Sequence, residues 1–299
     1  MKKLLVIQTR PGIGDLCVFL PAIHAIGKNS PNYELHLLTK RRTCADEFLH
    51  NDKIIKKIIY LPDNKGLKLN IKILNILKKE KYSKCFIMHY GIRYLILSKF
   101  SGIKEVFFYG YLKKNENIVD KSQQSIKKWL KNNEIKFNSI INVDFKIKKK
   151  NQITLGIGGS GLNKKWKISN FIELAKKINE KNKTQFLIAG GPVELEDSNN
   201  IIKSLQEFNI DSISICEKKI KETIKYLADS KLYIGNDTGF MHLSGCLGVK
   251  SFGLFGDTPP NYSSYNKNIY PITPKGFENI THGSELMENI NVEDVLNYI

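Results

Sequence analysis

Four turns of the sequence combine glycine with acidic, basic or hydroxyl side chains. They are residues 10–15, 158–166, 189–194 and 235–242. Glycine lets a ligand approach the backbone closely, and the N–H groups at the start of a following helix attract anions. Such turns are typical of phosphate- and nucleotide-binding sites, so we expect the chemistry of the chain to depend on them.

The first turn, Arg10-Pro11-Gly12-Ile13-Gly14-Asp15, separates an apolar run from a helix-like pattern that begins near Asp15. Its glycines do not have the GxGxxG spacing of a dinucleotide site. A carboxylate held in this turn can take a proton as a general base. Alternatively, Asp15 caps the helix, which is a common role for this residue type. The two roles are compatible.

The second turn, Gly158-Gly159-Ser160-Gly161, is followed by Lys164, Lys165 and Trp166. Exposed backbone N–H groups and lysines together suit a diphosphate, and Lys is a compact cation that neutralises charge on a leaving phosphate. The same residues are also typical of a flexible surface loop with solvated lysines.

The third turn, Gly190-Gly191-Pro192-Val193-Glu194, again joins a predicted strand to a predicted helix. An acid in this position can accept hydrogen bonds from ribose hydroxyls. Equally, Glu194 is favourable in the first turn of a helix without any ligand. This motif alone does not separate the two interpretations.

The fourth turn, Gly235-Asn236-Asp237-Thr238-Gly239-Phe240-Met241-His242, is the most specific of the four. It follows a strand and opens a helix, so we expect the N–H groups of Thr238 and Gly239 to face an anion. A lone helical histidine is commonly structural. The position of His242 one turn inside a glycine-flanked helix start favours a role together with Asp237 in binding the ligand.

Neither a metal nor an organic cofactor is predicted. The sequence has no DxD pair for holding a divalent ion on a diphosphate, and its five cysteines lack CxxC spacing. Lysine, histidine and helix N–H groups are therefore expected to neutralise the diphosphate.

The alternation of strand-like and helix-like segments predicts an α/β protein with parallel sheets. The predicted strands are 4–7, 34–38, 55–60, 85–88, 106–109, 153–157, 185–189, 212–215, 232–234 and 251–255. Periodicity weakens between about residues 131 and 152 and then restarts. We therefore expect two domains, 1–150 and 151–299.

The formal net charge of +18 predicts an anionic partner. Nothing besides charge supports nucleic acid, because no arginine-rich arm or aromatic RNA-binding signature is present. Solvated helix faces explain most of the lysines, and a membrane-facing surface would explain the excess. No apolar run reaches the roughly 18 residues that span a bilayer, so we expect a cytoplasmic or peripheral protein.

Taken together, these motifs resemble the lipopolysaccharide heptosyltransferase family, glycosyltransferase family nine. The resemblance covers essentially the whole chain. It is carried by Gly12–Asp15 with Leu20-Pro21-Ala22, Gly158–Ser160 with Lys164–Trp166, Gly190–Pro192, Asn236–Gly239 with His242, and Phe255-Gly256. It implies a GT-B fold, in which two Rossmann-like domains with parallel sheets face an interdomain cleft.

The resemblance also implies a reaction and its sites. The family transfers heptose from an ADP-sugar donor to a lipid-anchored core oligosaccharide acceptor, with inversion and without metal. The N-terminal domain would bind the acceptor, and the C-terminal domain the donor, at the anionic inner face of the inner membrane. The catalytic residues would be Asp15, as the general base, and Lys164, which matches the family's phosphate-binding lysine. The adjacent Lys165 would be donor-binding and could take the phosphate contact instead. The remaining donor-binding residues would be Gly14, Gly158, Gly159, Ser160, Glu194, Asp237, Thr238, Gly239 and His242.

Two other interpretations remain open from the residues themselves. A nucleotide-sugar epimerase or hydrolase of GT-B type would share the donor site and would act without an acceptor. A non-catalytic module that binds nucleotide or nucleic acid would explain the charge, and its binding would be salt-sensitive.

Overall fold

The computed structural model describes residues 1–111 and 116–299. The chain divides into two compact units, Met1–Asn142 and Val143–Ile299, called the first and second unit below. Each unit contains one parallel sheet with helices.

The first unit is built on a five-stranded parallel sheet with the order β3-β2-β1-β4-β5. Its strands are β1 (Lys2–Ile7), β2 (Tyr33–Thr39), β3 (Ile55–Tyr60), β4 (Lys84–Ile87) and β5 (Glu105–Phe108). Its described helices are α1 (Ile13–Lys28), α2 (Ala45–Phe48), α3 (Gly66–Glu80), α4 (Ile92–Phe100) and α5 (Ile118–Leu130). Every residue of α1 from Leu16 to Ile26 is buried, which explains why its apolar pattern runs around the whole helix.

The second unit is built on a six-stranded parallel sheet with the order β11-β10-β9-β6-β7-β8. Its strands are β6 (Gln152–Gly156), β7 (Gln185–Ala189), β8 (Ser212–Ser214), β9 (Leu232–Asn236), β10 (Lys250–Leu254) and β11 (Ile269–Ile272). Its helices are α6 (Ile168–Lys181), α7 (Leu195–Gln206), α8 (Ile220–Asp229), α9 (Gly239–Cys246) and α10 (Val292–Leu296). The sequence analysis did not predict β11, α10 or, in the first unit, α2 and α4.

Both sheets reverse their strand order next to the first strand of the unit. In the first unit β1 lies between β2 and β4, and in the second unit β6 lies between β7 and β9. Ligands of open parallel sheets bind beyond the carboxyl ends of the strands at such a reversal. We therefore expect the site residues in the loops after β1 and β4 and in the loops after β6 and β9.

The contact-based division falls at Asn142/Val143, the sequence suggested 150/151, and residues 148–149 are bonded to other residues of the second unit. The Lys148 N–H donates to Asp229 Oδ1 at 2.7 Å. The Lys149 ammonium donates to the carbonyl oxygens of Ala228 and Ser230, both at 2.9 Å. Across the described ranges, no helix is long and apolar enough to cross a bilayer.

Glycine is required at 235 because β6 and β9 approach each other closely there. Gly235 is the register partner of Gly156, and a Cβ at 235 would lie 2.3 Å from the Gly156 carbonyl oxygen. The clash is with the backbone of a central strand, which cannot rotate away as a side chain can.

We therefore expect Gly235→Ala to lower the free energy of unfolding by about 2–3 kcal/mol. Gly161→Ala is the matched control, since Gly161 is exposed, has an extended backbone and has open space at its Cβ position. Urea unfolding followed by circular dichroism measures both. Equal stability of Gly235→Ala and wild type would contradict the close approach of the two strands.

Candidate functional site

The loop after β1 holds Asp15 by both of its carboxylate oxygens. Helix α1 begins at Ile13 with Gly12 as its N-cap, so Asp15 is the third helical residue and not the cap. Its Oδ2 accepts the Gly12 N–H at 3.0 Å, and its Oδ1 accepts Arg10 Nε at 2.8 Å. The Asp15 side chain is still 28% exposed. The carboxylate is thus fixed in orientation and remains accessible.

Two polar groups directly before Arg10 are buried without a protein partner among the described residues. They are Gln8 Nε2 and Thr9 Oγ1, and both residues are at most 1% exposed. A buried polar group without a hydrogen bond costs about 1–3 kcal/mol. The two groups therefore carry a local cost in stability at this strand end.

His89 follows β4 at the same end of the sheet and was missed in the sequence analysis. Its Nδ1 accepts the Gly91 N–H at 2.9 Å, so the ring proton of the neutral form lies on Nε2. Burial and the nearby cations Lys40 and Arg10 lower the pKa of His89 to about 4. Near neutral pH the residue is consequently an uncharged hydrogen-bond donor.

Aromatic side chains surround His89. Its ring stacks on Tyr90 with centroids 4.4 Å apart and meets the edge of Tyr94 at 5.5 Å. These three residues, together with Arg93 and Tyr111, line a cavity of about 380 Å³. An aromatic cavity with one cation and one neutral donor suits a sugar ring, which has apolar faces and hydroxyl edges.

In the second unit, the side chain of Asn236 connects two turns that are distant in sequence. Its Nδ2 donates to the carbonyl oxygens of Ile157 at 3.0 Å and Gly158 at 2.9 Å. Its Oδ1 accepts the backbone N–H of Trp166 at 3.0 Å. Trp166 is buried, and its indole N–H donates to the Ile290 carbonyl at 2.7 Å. The loop after β6 is therefore held at both of its ends.

Glu194 lies beside this loop in a buried ion pair. Its Oε1 is 2.9 Å from Lys165 Nζ, and its Oε2 accepts the Gly191 N–H at 2.7 Å. A Cβ at Gly158 would lie 3.6 Å from Gly190 Cα and 3.7 Å from Glu194 Oε2, so the second and third turns are adjacent. Lys164, by contrast, is half-buried and forms no ion pair within the described ranges.

The fourth turn forms the start of α9, with Thr238 as the N-cap and Gly239 as the first helical residue. His242 is only 5% exposed, and both of its ring nitrogens have protein partners. Nε2 is 3.3 Å from Asp237 Oδ1, and Nδ1 is 2.8 Å from the Tyr265 hydroxyl, whose ring stacks on the imidazole. His242 is thus placed to orient Asp237 at the start of the helix.

The structure brings the second, third and fourth turns together at the carboxyl end of the second sheet. Gly158, Lys165, Glu194 and Asn236 are linked by the contacts above. A Cβ at Gly159 would lie 2.7 Å from Lys165 Cγ, and Ser160 lies on the exposed part of the same loop. Gly14 and Asp15 belong to the first unit. In the parts of the chain that are described, no three His, Cys, Asp or Glu side chains are grouped as metal ligands.

Comparisons with known proteins agree with this architecture. The sequence model of glycosyltransferase family 9 (heptosyltransferase) matches residues 110–280. Lipopolysaccharide heptosyltransferase 1 of Campylobacter coli is 24% identical over 96% of this chain and 95% of that protein. Lipooligosaccharide heptosyltransferase 2 of Campylobacter jejuni is 35% identical, and that match spans only 40% of each chain.

A solved structure extends the likeness to the fold of the whole chain. The E. coli heptosyltransferase WaaC, solved with ADP-2-deoxy-2-fluoro heptose, has a TM-score of 0.77 and 12% identity, covering 99% of this chain and 98% of that one. The predicted fold class, α/β with two parallel sheets of the GT-B type, is confirmed.

The contacts of Asn236 generate a prediction about stability. Asn236→Asp can still accept the Trp166 N–H, but it places a carboxylate oxygen beside two carbonyl oxygens that the amide had satisfied. We expect a loss of about 2–5 kcal/mol of unfolding free energy for this variant. Asn200→Asp on an exposed face of α7 is the matched control, and thermal denaturation compares the two. A wild-type melting temperature for Asn236→Asp would show that the amide does not donate to these carbonyls.

His89 generates a prediction about protonation. Because its pKa is lowered to about 4, the imidazole should stay neutral from pH 8 down to about pH 5, with the proton on Nε2. Nitrogen-15 NMR of the ring measures both properties. In Gly91→Ala a Cβ would lie 2.9 Å from His89 Nδ1, so displacement of the ring should move the titration towards the ordinary value of about 6.5. Titration of His89 near pH 6.5 in the wild type would overturn this account.

Proposed function

Because this chain belongs to glycosyltransferase family 9, the heptosyltransferase family, we propose that it transfers a heptose from ADP-heptose to a lipopolysaccharide core acceptor. The transfer inverts the anomeric centre and requires no metal. The observation that carries the proposal is the convergence of three glycine-containing turns on Asn236 and Glu194 at the strand ends of the second unit. This convergence supports a site for a nucleotide diphosphate.

The second unit is the proposed donor-binding domain. The N–H groups at the start of α9 and in the loop 158–161 face the diphosphate, and Glu194 accepts hydrogen bonds from the ribose. Lys165 is already paired with Glu194, so we assign it the positioning of that carboxylate. Lys164 then contacts the phosphate and neutralises the charge on the departing ADP.

The first unit is the proposed acceptor-binding domain. Asp15 takes the proton of the acceptor hydroxyl while that oxygen forms a bond to the anomeric carbon. The bond from this carbon to the phosphate oxygen breaks, and its electron pair leaves with ADP. Arg10 and the Gly12 N–H hold the carboxylate in a fixed orientation.

The acceptor is a lipid-anchored core oligosaccharide, and the protein acts as a peripheral enzyme at the cytoplasmic face of the inner membrane. Support comes from the similarity to lipopolysaccharide heptosyltransferase 1 of Campylobacter coli over nearly the whole of both chains. The net charge of +18 agrees with an anionic acceptor and an anionic surface.

The role of Asp15 is tested by Asp15→Asn, which keeps the size of the side chain and removes its basicity. We expect kcat to fall by about 100-fold or more, because a general base contributes roughly 10²–10⁴. ADP affinity by calorimetry should stay unchanged, since Asp15 lies in the other unit. ADP release is measured with ADP-heptose and a heptose-free core acceptor. A wild-type rate in the variant removes Asp15 from the reaction, and release that needs no acceptor identifies a hydrolase.

The division of work between the two lysines is tested by a double-mutant cycle. Lys165→Met and Glu194→Gln break the same ion pair, so their effects on kcat/KM should be less than additive. Lys164→Met should combine with Glu194→Gln additively, and it should lower kcat. The reverse pattern of coupling would assign the phosphate contact to Lys165.

A further inference from the structure

Helices α3 and α4 of the first unit are apolar on two opposite sides. Their inward residues share one buried cluster, to which they contribute Ile73, Leu77, Tyr94 and Leu97. Their outward residues include five large apolar side chains: Leu67 72% exposed, Ile71 50%, Ile92 52%, Ile96 45% and Phe100 72%. A surface helix normally turns polar residues to water, and a group of exposed apolar side chains marks an interaction site.

The spacing aligns these side chains along two neighbouring helices. Leu67 and Ile71 are four residues apart on α3, as are Ile92, Ile96 and Phe100 on α4, so each set follows one side of its helix. The two helices pack against each other. We call the five side chains the docking face.

The chain around the docking face is strongly basic. Residues 64–104 contain nine lysines and one arginine against a single glutamate, a net charge of +9 and half of the total of +18. The glutamate, Glu80, is already paired with Lys3 at 2.8 Å and Lys57 at 2.6 Å. Lys68, Lys72, Arg93 and Lys99 are exposed on the same two helices as the apolar side chains.

From this combination we propose that the docking face inserts into the interfacial region of an anionic phospholipid bilayer. Each lysine or arginine near such a surface contributes about 1 kcal/mol of attraction, and the long side chains can reach the headgroups while the apolar tips enter below them. A second copy of the chain would bring two faces of the same charge together. Nucleic acid would leave the apolar tips without a partner.

The docking face also adjoins the aromatic cavity around His89 in the proposed acceptor-binding unit. Ile92 and Arg93 begin α4 and line the cavity that contains His89 and Tyr111. A bilayer bound to α4 would therefore present a lipid-anchored sugar beside that cavity. In this respect the inference rests on the proposed function, whereas lipid binding itself does not.

The test is co-sedimentation of the full chain with vesicles. Wild type should bind vesicles that contain phosphatidylglycerol and phosphatidylcholine, and should bind vesicles of phosphatidylcholine alone only weakly. It should dissociate in about 0.5 M salt, because salt screens the attraction between the lysines and the anionic headgroups. Ile96→Glu with Phe100→Glu, and separately Lys68→Glu with Lys72→Glu, should each weaken binding by about tenfold or more. The matched controls lie in the second unit: Phe208→Glu, whose residue is 55% exposed, and Lys203→Glu with Lys225→Glu. The controls should bind as wild type does.

Three results would overturn the proposal. The first is equal binding to both kinds of vesicle. The second is unchanged binding by the Ile96/Phe100 and Lys68/Lys72 variants. The third is a wild-type dimer that Ile96→Glu dissociates, because the docking face would then be a self-association surface. Melting temperatures show that the variants fold.

Transfer of heptose to a deacylated, water-soluble acceptor separates this proposal from the proposed function. Docking-face variants should keep the full rate there, whereas a wild type that binds vesicles but transfers no heptose refutes only the proposed function.

Discussion

The buried amide of Asn236 joins the end of a central strand to the loop after the neighbouring strand. Its two donated bonds and one accepted bond satisfy backbone groups of Ile157, Gly158 and Trp166 that would otherwise be buried without partners. Because an amide both donates and accepts, neither Asp nor Leu can replace it. This side chain bonds both ends of the loop 158–166, which carries Lys164 and Lys165.

Each acid at the candidate sites is held by a positive or N–H partner. Asp15 is bonded to Arg10 and Gly12, Glu194 to Lys165 and Gly191, and Asp237 lies beside His242. These contacts fix the direction of each carboxylate. A carboxylate held in this way can accept a hydrogen bond or a proton from a hydroxyl group. Its bonded partners also reduce its repulsion of a diphosphate bound at the adjacent N–H groups.

The sequence predicted the α/β class and nearly all central strands, because buried parallel strands are short apolar runs between turn residues. It did not predict α4, whose apolar residues point both inward and outward and so show no one-sided periodicity. The bonds of Lys148 and Lys149 to α8 and to Ser230 could not be predicted either, because this stretch of chain is polar and has no periodic pattern. The contact of His242 with Tyr265, which lies 23 residues further along the chain, could not be predicted from the motif around His242.

Strand order explains which residues the sequence revealed and which it did not. The sequence predicts where each strand ends, but it does not predict which strand lies next to it in the sheet. The order β3-β2-β1-β4-β5 places the residues after β4 next to those after β1, and only then does His89 become a neighbour of Arg10. In the second unit the order sets β9 beside β6, so Asn236 meets Trp166 although 70 residues separate them. A single motif therefore shows which residue types are available for a site. The reversal of strand order in the sheet determines which motifs lie together in that site.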